Sequence, residues 1–149
     1  MTERNSWKAL RERLRPFGKV VRVENVVGPG TPDVCYCLRG VTGWLEMKHA
    51  NKWPARETTP LVIPSLTLDQ VLWMKEWEQA GGTAWLYLTV GPVEFLLTPA
   101  QATTIFEKRL TNHLLKNLRL GASNQFGYRP GTTADFVRAL RRTTRARSE

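Results

Sequence analysis

Two short β-forming stretches, 33–38 and 41–48, are separated by only Arg39 and Gly40, so the chain is committed early to a hairpin. Residues two apart in a strand project from the same face. Glu46 and Lys48 therefore point together, while Leu45 and Met47 turn inward. Pairing the two strands about Arg39-Gly40 brings Asp33, which follows Pro32, toward Glu46 and Lys48, with a bulge or skew needed for close register. Two carboxylates and one ammonium then share a patch, although Glu46 lies 13 positions after Asp33 in the sequence.

That combination suits phosphodiester hydrolysis. Hard carboxylate oxygens hold Mg²⁺, and a bound cation neutralises charge that builds on the phosphate. Asp33 and Glu46 are the expected ligands, with the Met47 carbonyl as a third oxygen. Lys48 is expected to orient or activate the nucleophile. Mn²⁺ would serve as well, because both ions seek oxygen. Two ionised carboxylates set close together repel, so the empty patch should be strained and should welcome a cation.

The rest of the chain reads as one α/β domain with an appendage. Trp7, Leu10 and Leu14 recur at helical spacing, and 19–23 is a strand. Residues 49–64 show neither period and form a basic loop carrying Lys52, Trp53 and Arg56. Trp53 has two open roles: stacking on an unpaired base, or packing on the sheet. Leu68, Val71, Leu72, Met74 and Trp77 mark a helix over 67–79 that stops at Gly81-Gly82. Residues 83–88 and 93–97 form a second hairpin around Gly91-Pro92, and a helix starts at Pro99 and runs to about Leu120. Residues 1–120 are thus the expected core, a central mixed sheet flanked by helices. Residues 121–149 are expected to be a basic helical C-terminal extension, in which Arg138, Arg141, Arg142, Arg145 and Arg147 grip phosphates. After 142 a frayed, solvated tail is an equal alternative.

Twenty-two Lys and Arg against 13 Asp and Glu leave a net charge of +9, the footprint of a protein that meets a polyanion. Residues 1–20 carry charge throughout and no apolar run reaches membrane-spanning length, so a cytoplasmic protein is expected. Cys35 and Cys37, two apart on a strand, are poorly placed for a mutual disulfide. With His49 and His113 distant in sequence, they do not make a zinc site.

Pro32-Asp33 and Glu46-Met47-Lys48 together resemble the motif of the PD-(D/E)XK nuclease superfamily. The branch holding the VRR-NUC domains and the phage and archaeal Holliday-junction resolvases is the most similar, through Gly30-Thr31-Pro32-Asp33 and then Leu66-Thr67-Leu68-Asp69-Gln70. The resemblance covers roughly residues 5–97. It implies a restriction-endonuclease-like core, Mg²⁺ dependence, a homodimer, and a role for Gln70 beside the metal. It also implies one more acidic ligand from upstream. Glu12 is the preferred choice, Glu24 the rival, and Glu3 lies very close to the terminus.

The function expected on these grounds is a metal-dependent DNA endonuclease, structure-selective for branched or flapped DNA; a phage origin fits. A sequence-specific restriction-type endonuclease and a non-catalytic nucleic-acid-binding protein on the same fold are the alternatives, and RNA remains open as a substrate.

Overall fold

The computed structural model describes residues 3–24, 28–142 and 144. Helix α1 (Glu3–Leu14) passes through one 3-10 turn into β1 (Gly18–Arg22), which is followed by β2 (Val34–Leu38) and β3 (Val41–Ala50). Then come α2 (Leu68–Gln79), β4 (Ala84–Val90), β5 (Val93–Leu97), α3 (Pro99–Phe106) and the one-turn α4 (Asn112–Leu115). Short strands β6 (Ser123–Asn124) and β7 (Gly127–Tyr128) precede α5 (Thr133–Leu140). The strands make one sheet in the order β1-β2-β3-β4-β5-β7-β6. Neighbours run antiparallel except β3 and β4, which are parallel because α2 carries the chain back between them. The architecture is the expected α/β one, a mixed sheet flanked by helices. Among the described residues, no helix is long and apolar enough to cross a membrane.

Strand alternation sorts the core into two layers. Trp85 and Tyr87 of β4, with Leu45 and Met47 of β3, pack against Leu10 and Leu14 of α1 and Phe136 and Leu140 of α5. Leu86 and Leu88, one residue out of phase, pack against Val71 and Met74 of α2 and Ala102 and Ile105 of α3. Helices α1 and α5 thus cover one face of the sheet, and α2 and α3 the other.

The β2–β3 hairpin turns on Arg39 (φ 49°) and Gly40 (φ 87°). Two consecutive left-handed residues match the twist of the flanking strands, so pairing starts at Leu38↔Val41 and runs regularly to Val34↔Leu45. The bulge expected from the sequence is not needed. Gly43 lies opposite Tyr36, and a Cβ there would sit 2.2 Å from the Tyr36 hydroxyl. Freed by that gap, the ring lies across β3 and its hydroxyl donates to the Leu140 carbonyl at 2.6 Å, fastening the end of α5 to the sheet.

The C-terminal third departs from the sequence expectation. The helix begun at Pro99 ends at Phe106, and Lys108 takes a left-handed φ of 58°. Leu110 then leaves the helical path, buried, with its carbonyl accepting the Leu61 N–H at 2.8 Å. Residues that read as one helical stripe are spent on three separate segments. Residues 121–142 are not an appendage either: β7 joins the sheet through Leu96↔Tyr128, and Phe136 and Leu140 are fully buried. Helix α5, the last described, is built into the core. Arg145 and Arg147 lie outside the described residues.

Candidate active site

Asp33 stands one step beyond the Val34↔Leu45 pair, directly across the hairpin from Glu46. Alternation puts Glu46 and Lys48 on the α2 side of the sheet, opposite Leu45 and Met47. One carboxylate oxygen of Asp33 accepts the Met47 N–H at 3.0 Å. In return, the Asp33 backbone gives a hydrogen bond to the Glu46 carboxylate. The Lys48 ammonium lies 3.3 Å from Glu46 Oε1 and donates to the Ser65 carbonyl at 2.9 Å. The three residues that the hairpin was expected to gather are gathered.

Glu46 is only 3% exposed. Burial, and then the neighbouring Asp33 carboxylate, push its pKa up to about 8, against the opposing pull of Lys48. Its Oε2 is buried without a hydrogen-bond partner. An orphaned carboxylate oxygen beside a second carboxylate is a place where a hard cation fits, since it would supply both the missing partner and the missing charge. Among the described residues no three His, Cys, Asp or Glu side chains converge, so the donors are a pair rather than a cluster.

The turn that delivers Asp33 is seated on α2. Gly30 is buried with φ 86°, and a Cβ on it would meet the Asp69 carbonyl at 2.3 Å. Only glycine tolerates both the left-handed backbone and this close approach. The first turn of α2 is itself closed by a capping box: Thr67 Oγ1 accepts the Gln70 N–H at 3.2 Å, and Gln70 Oε1 accepts the Thr67 N–H at 3.0 Å. Gln70 thus sits beside the Asp33 turn, but its side-chain oxygen caps the helix.

The upstream acids are placed elsewhere. Glu12 is exposed on α1, the helix that covers the opposite face of the sheet, and pairs with Arg15 at 3.8 Å. It faces away from the Leu10–Leu14 stripe, so the sheet lies between it and the Asp33–Glu46 pair. Glu24 is exposed just after Val23, whose N–H donates to the Asp33 carbonyl at 2.7 Å; it neighbours Asp33 along the backbone with its side chain at the surface. Glu3 heads α1, and its side chain lies outside the described residues.

Among the expected DNA contacts, Lys52 and Arg56 are exposed on the 49–64 loop. Trp53 takes the packing role, edge-on to Phe95 at 6.0 Å. The loop is less free than its sequence suggests: the Pro54 carbonyl accepts Asn112 Nδ2 at 3.1 Å, and Leu61 and Ile63 are buried. Arg138, Arg141 and Arg142 are exposed around the C-terminal end of α5. Arg138 pairs with Asp135 at 2.9 Å, and Arg141 donates to the Arg39 carbonyl at 3.3 Å.

Two features escaped the sequence reading. Ser65 holds Lys48 through its backbone, and its only sequence signal is its place just before the Thr67 cap. On the opposite face, Arg13 makes a two-pronged bond to Glu94 at 2.6 and 2.8 Å, and Tyr87 donates to Glu94 at 2.7 Å. Those residues are far apart in the chain, and nothing local announces their meeting.

No family model matches this sequence, and no curated protein matches it. Among solved structures the chain is similar to Hjc, a Holliday junction resolvase from the archaeal hyperthermophile Archaeoglobus fulgidus. The TM-score is 0.49 at 18% identity, covering 67% of this chain and 78% of that one.

Proposed function

We propose that this protein is a metal-dependent DNA endonuclease, selective for branched or flapped DNA in the manner of a Holliday-junction resolvase. The observation that carries the reading is the buried, unpartnered Glu46 Oε2 beside Asp33, with the Lys48 ammonium 3.3 Å from the other oxygen. Asp33 and Glu46 would hold Mg²⁺ or Mn²⁺. The cation, when bound, supplies the positive charge that offsets negative charge growing on the phosphate. Lys48, steadied by the Ser65 carbonyl, positions the attacking water or the scissile phosphate. The net charge of +9, with Lys52, Arg56, Arg138, Arg141 and Arg142 at the surface, favours approach to a polyanion.

A homodimer belongs to this reading, because one domain with one site needs a second copy to cut two strands. Leu68, Leu72 and Trp77 of α2 are exposed and offer an apolar surface for it. The test is cleavage by wild-type and Asp33→Ala protein, with Mg²⁺ or Mn²⁺, of matched linear duplex, single strand, flap and four-way junction. Cutting of the branched substrates that the variant loses supports the reading. Cutting of plain duplex at a unique sequence would replace it with a restriction-type enzyme, and tight binding without any cutting would replace it with a binding module.

A further inference from the structure

A cavity lies on the other side of β3 from Glu46, between α1 and the C-terminal ends of β3 and β4. It encloses about 350 Å³, at the small end of the range for ligand pockets. Ala9, Leu10, Met47 and Tyr87 line it, with His49 and Thr89 as polar members, and it reaches Lys48. The charged groups in its wall are already partnered: Arg13 is bonded to Glu94, which also holds Tyr87, and the Lys48 ammonium is held by Glu46 and the Ser65 carbonyl. His49 has both ring nitrogens engaged, with Thr89 at 2.6 Å and Asn51 at 3.2 Å. What the walls offer is an apolar, nearly neutral slot with an aromatic ring and a few polar edges. Such a lining suits a flat, neutral heteroaromatic group and does not suit a phosphate.

We infer that this cavity receives a single unstacked nucleobase of the strand whose phosphate lies at Lys48. The inference rests on the nuclease reading and deepens it. Lys48 belongs to both places, its ammonium near Glu46 and the residue itself part of the cavity wall, so a strand engaged at one is delivered to the other. A base held in a stacked, paired duplex cannot enter a slot of this size, whereas a base at a branch point or flap is already partly released and costs less to extrude. Selectivity for branched DNA then arises from the capture of one loose base, without readout of sequence.

The test is a set of branched substrates in which each nucleotide flanking the cleaved phosphate is replaced in turn by an abasic residue, cut by the wild-type protein. At one position, loss of the base should lower kcat/KM by about tenfold, the scale of one base stacked in a protein site. Ala9→Trp fills the slot from an exposed helix position. It should lower kcat/KM on the intact substrate by a similar factor and change nothing on the abasic one. A 2-aminopurine at that position should brighten when wild-type protein binds without metal, and should stay dim with Ala9→Trp. Uniform cleavage across the abasic series, or an Ala9→Trp protein that cuts the intact substrate like wild type, overturns the inference and leaves the nuclease reading standing. Brightening without any metal-dependent cleavage does the reverse: it supports base capture and removes the nuclease.

Discussion

Asp33 Oδ1 accepts the backbone N–H of Met47 at 3.0 Å, which ties the Asp33 carboxylate to the strand that carries Glu46. Two carboxyl groups are thereby held together at the open end of a hairpin whose register is fixed by the Arg39-Gly40 turn. Fold geometry sets the spacing here, and the electrostatic strain falls on the more buried of the two, Glu46.

That strain has a pH signature. The folded-state pKa of Glu46 lies near 8, above the ordinary value of 4.5, so folding takes up a proton between those limits. Stability from this group is full below about pH 4.5 and is lost as pH rises toward 8. Glu46→Gln cannot ionise and should escape the loss. Its melting temperature should exceed that of the wild type by roughly 4 °C or more at pH 8.5 without metal, with the gap closing at pH 5. Mg²⁺ or Mn²⁺ should stabilise the wild type more at pH 8 than at pH 6, because Glu46 must shed its proton to serve as a ligand. Melts at the two pH values, with and without metal, check both statements.

Lys48→Met removes the ammonium that pulls the Glu46 pKa down. Cleavage should fall by about 10² or more, metal binding should largely persist, and the alkaline rise in metal affinity should move to higher pH. Calorimetric titration of Mn²⁺ across pH reads the last of these. A profile that stays in place would mean that Lys48 does not act on Glu46.

Gly30→Ala leaves every carboxylate intact and attacks their support. The added Cβ meets the Asp69 carbonyl at 2.3 Å on a backbone with φ 86°, so the turn must shift off α2. A loss of about 1–3 kcal/mol is expected, accompanied by a fall in cleavage larger than the drop in folded protein. Urea melts and single-turnover rates on the same preparation separate the two effects.

Arg141→Ala combined with Arg142→Ala should weaken DNA binding and reduce the slope of log affinity against log salt by about one to two. The single-turnover rate at saturating protein should not change. Fluorescence anisotropy over a salt series reads the slope.

The hairpin and its three polar residues were legible because they depend on local rules: a two-residue turn, alternation, and a count along each strand. The span of α2 from about Thr67 to its stop near Gly81 was legible for the same reason; the capping bond that takes up the Gln70 side chain was not. Glu12 was misplaced because helical spacing tells which side of α1 is buried and says nothing of which face of the sheet α1 covers. The helix beyond Pro99 failed at Lys108 for a related reason: Leu110 gains more by burial against Leu61 than the helix gains by continuing, and only the tertiary fold holds that comparison. That Tyr128 and Phe136 belong to the core is not legible locally, because their partners, Leu96 and Tyr87, lie more than 30 residues away.

The most direct measurement is single-turnover cleavage of a four-way junction by wild-type and Glu46→Gln protein across a Mg²⁺ series. Saturable, Mg²⁺-dependent cutting by the wild type, no cutting by the variant, and equal junction binding by both are expected if Asp33 and Glu46 hold the metal. A Glu46→Gln protein that cuts with the wild-type dependence on Mg²⁺ would contradict that assignment.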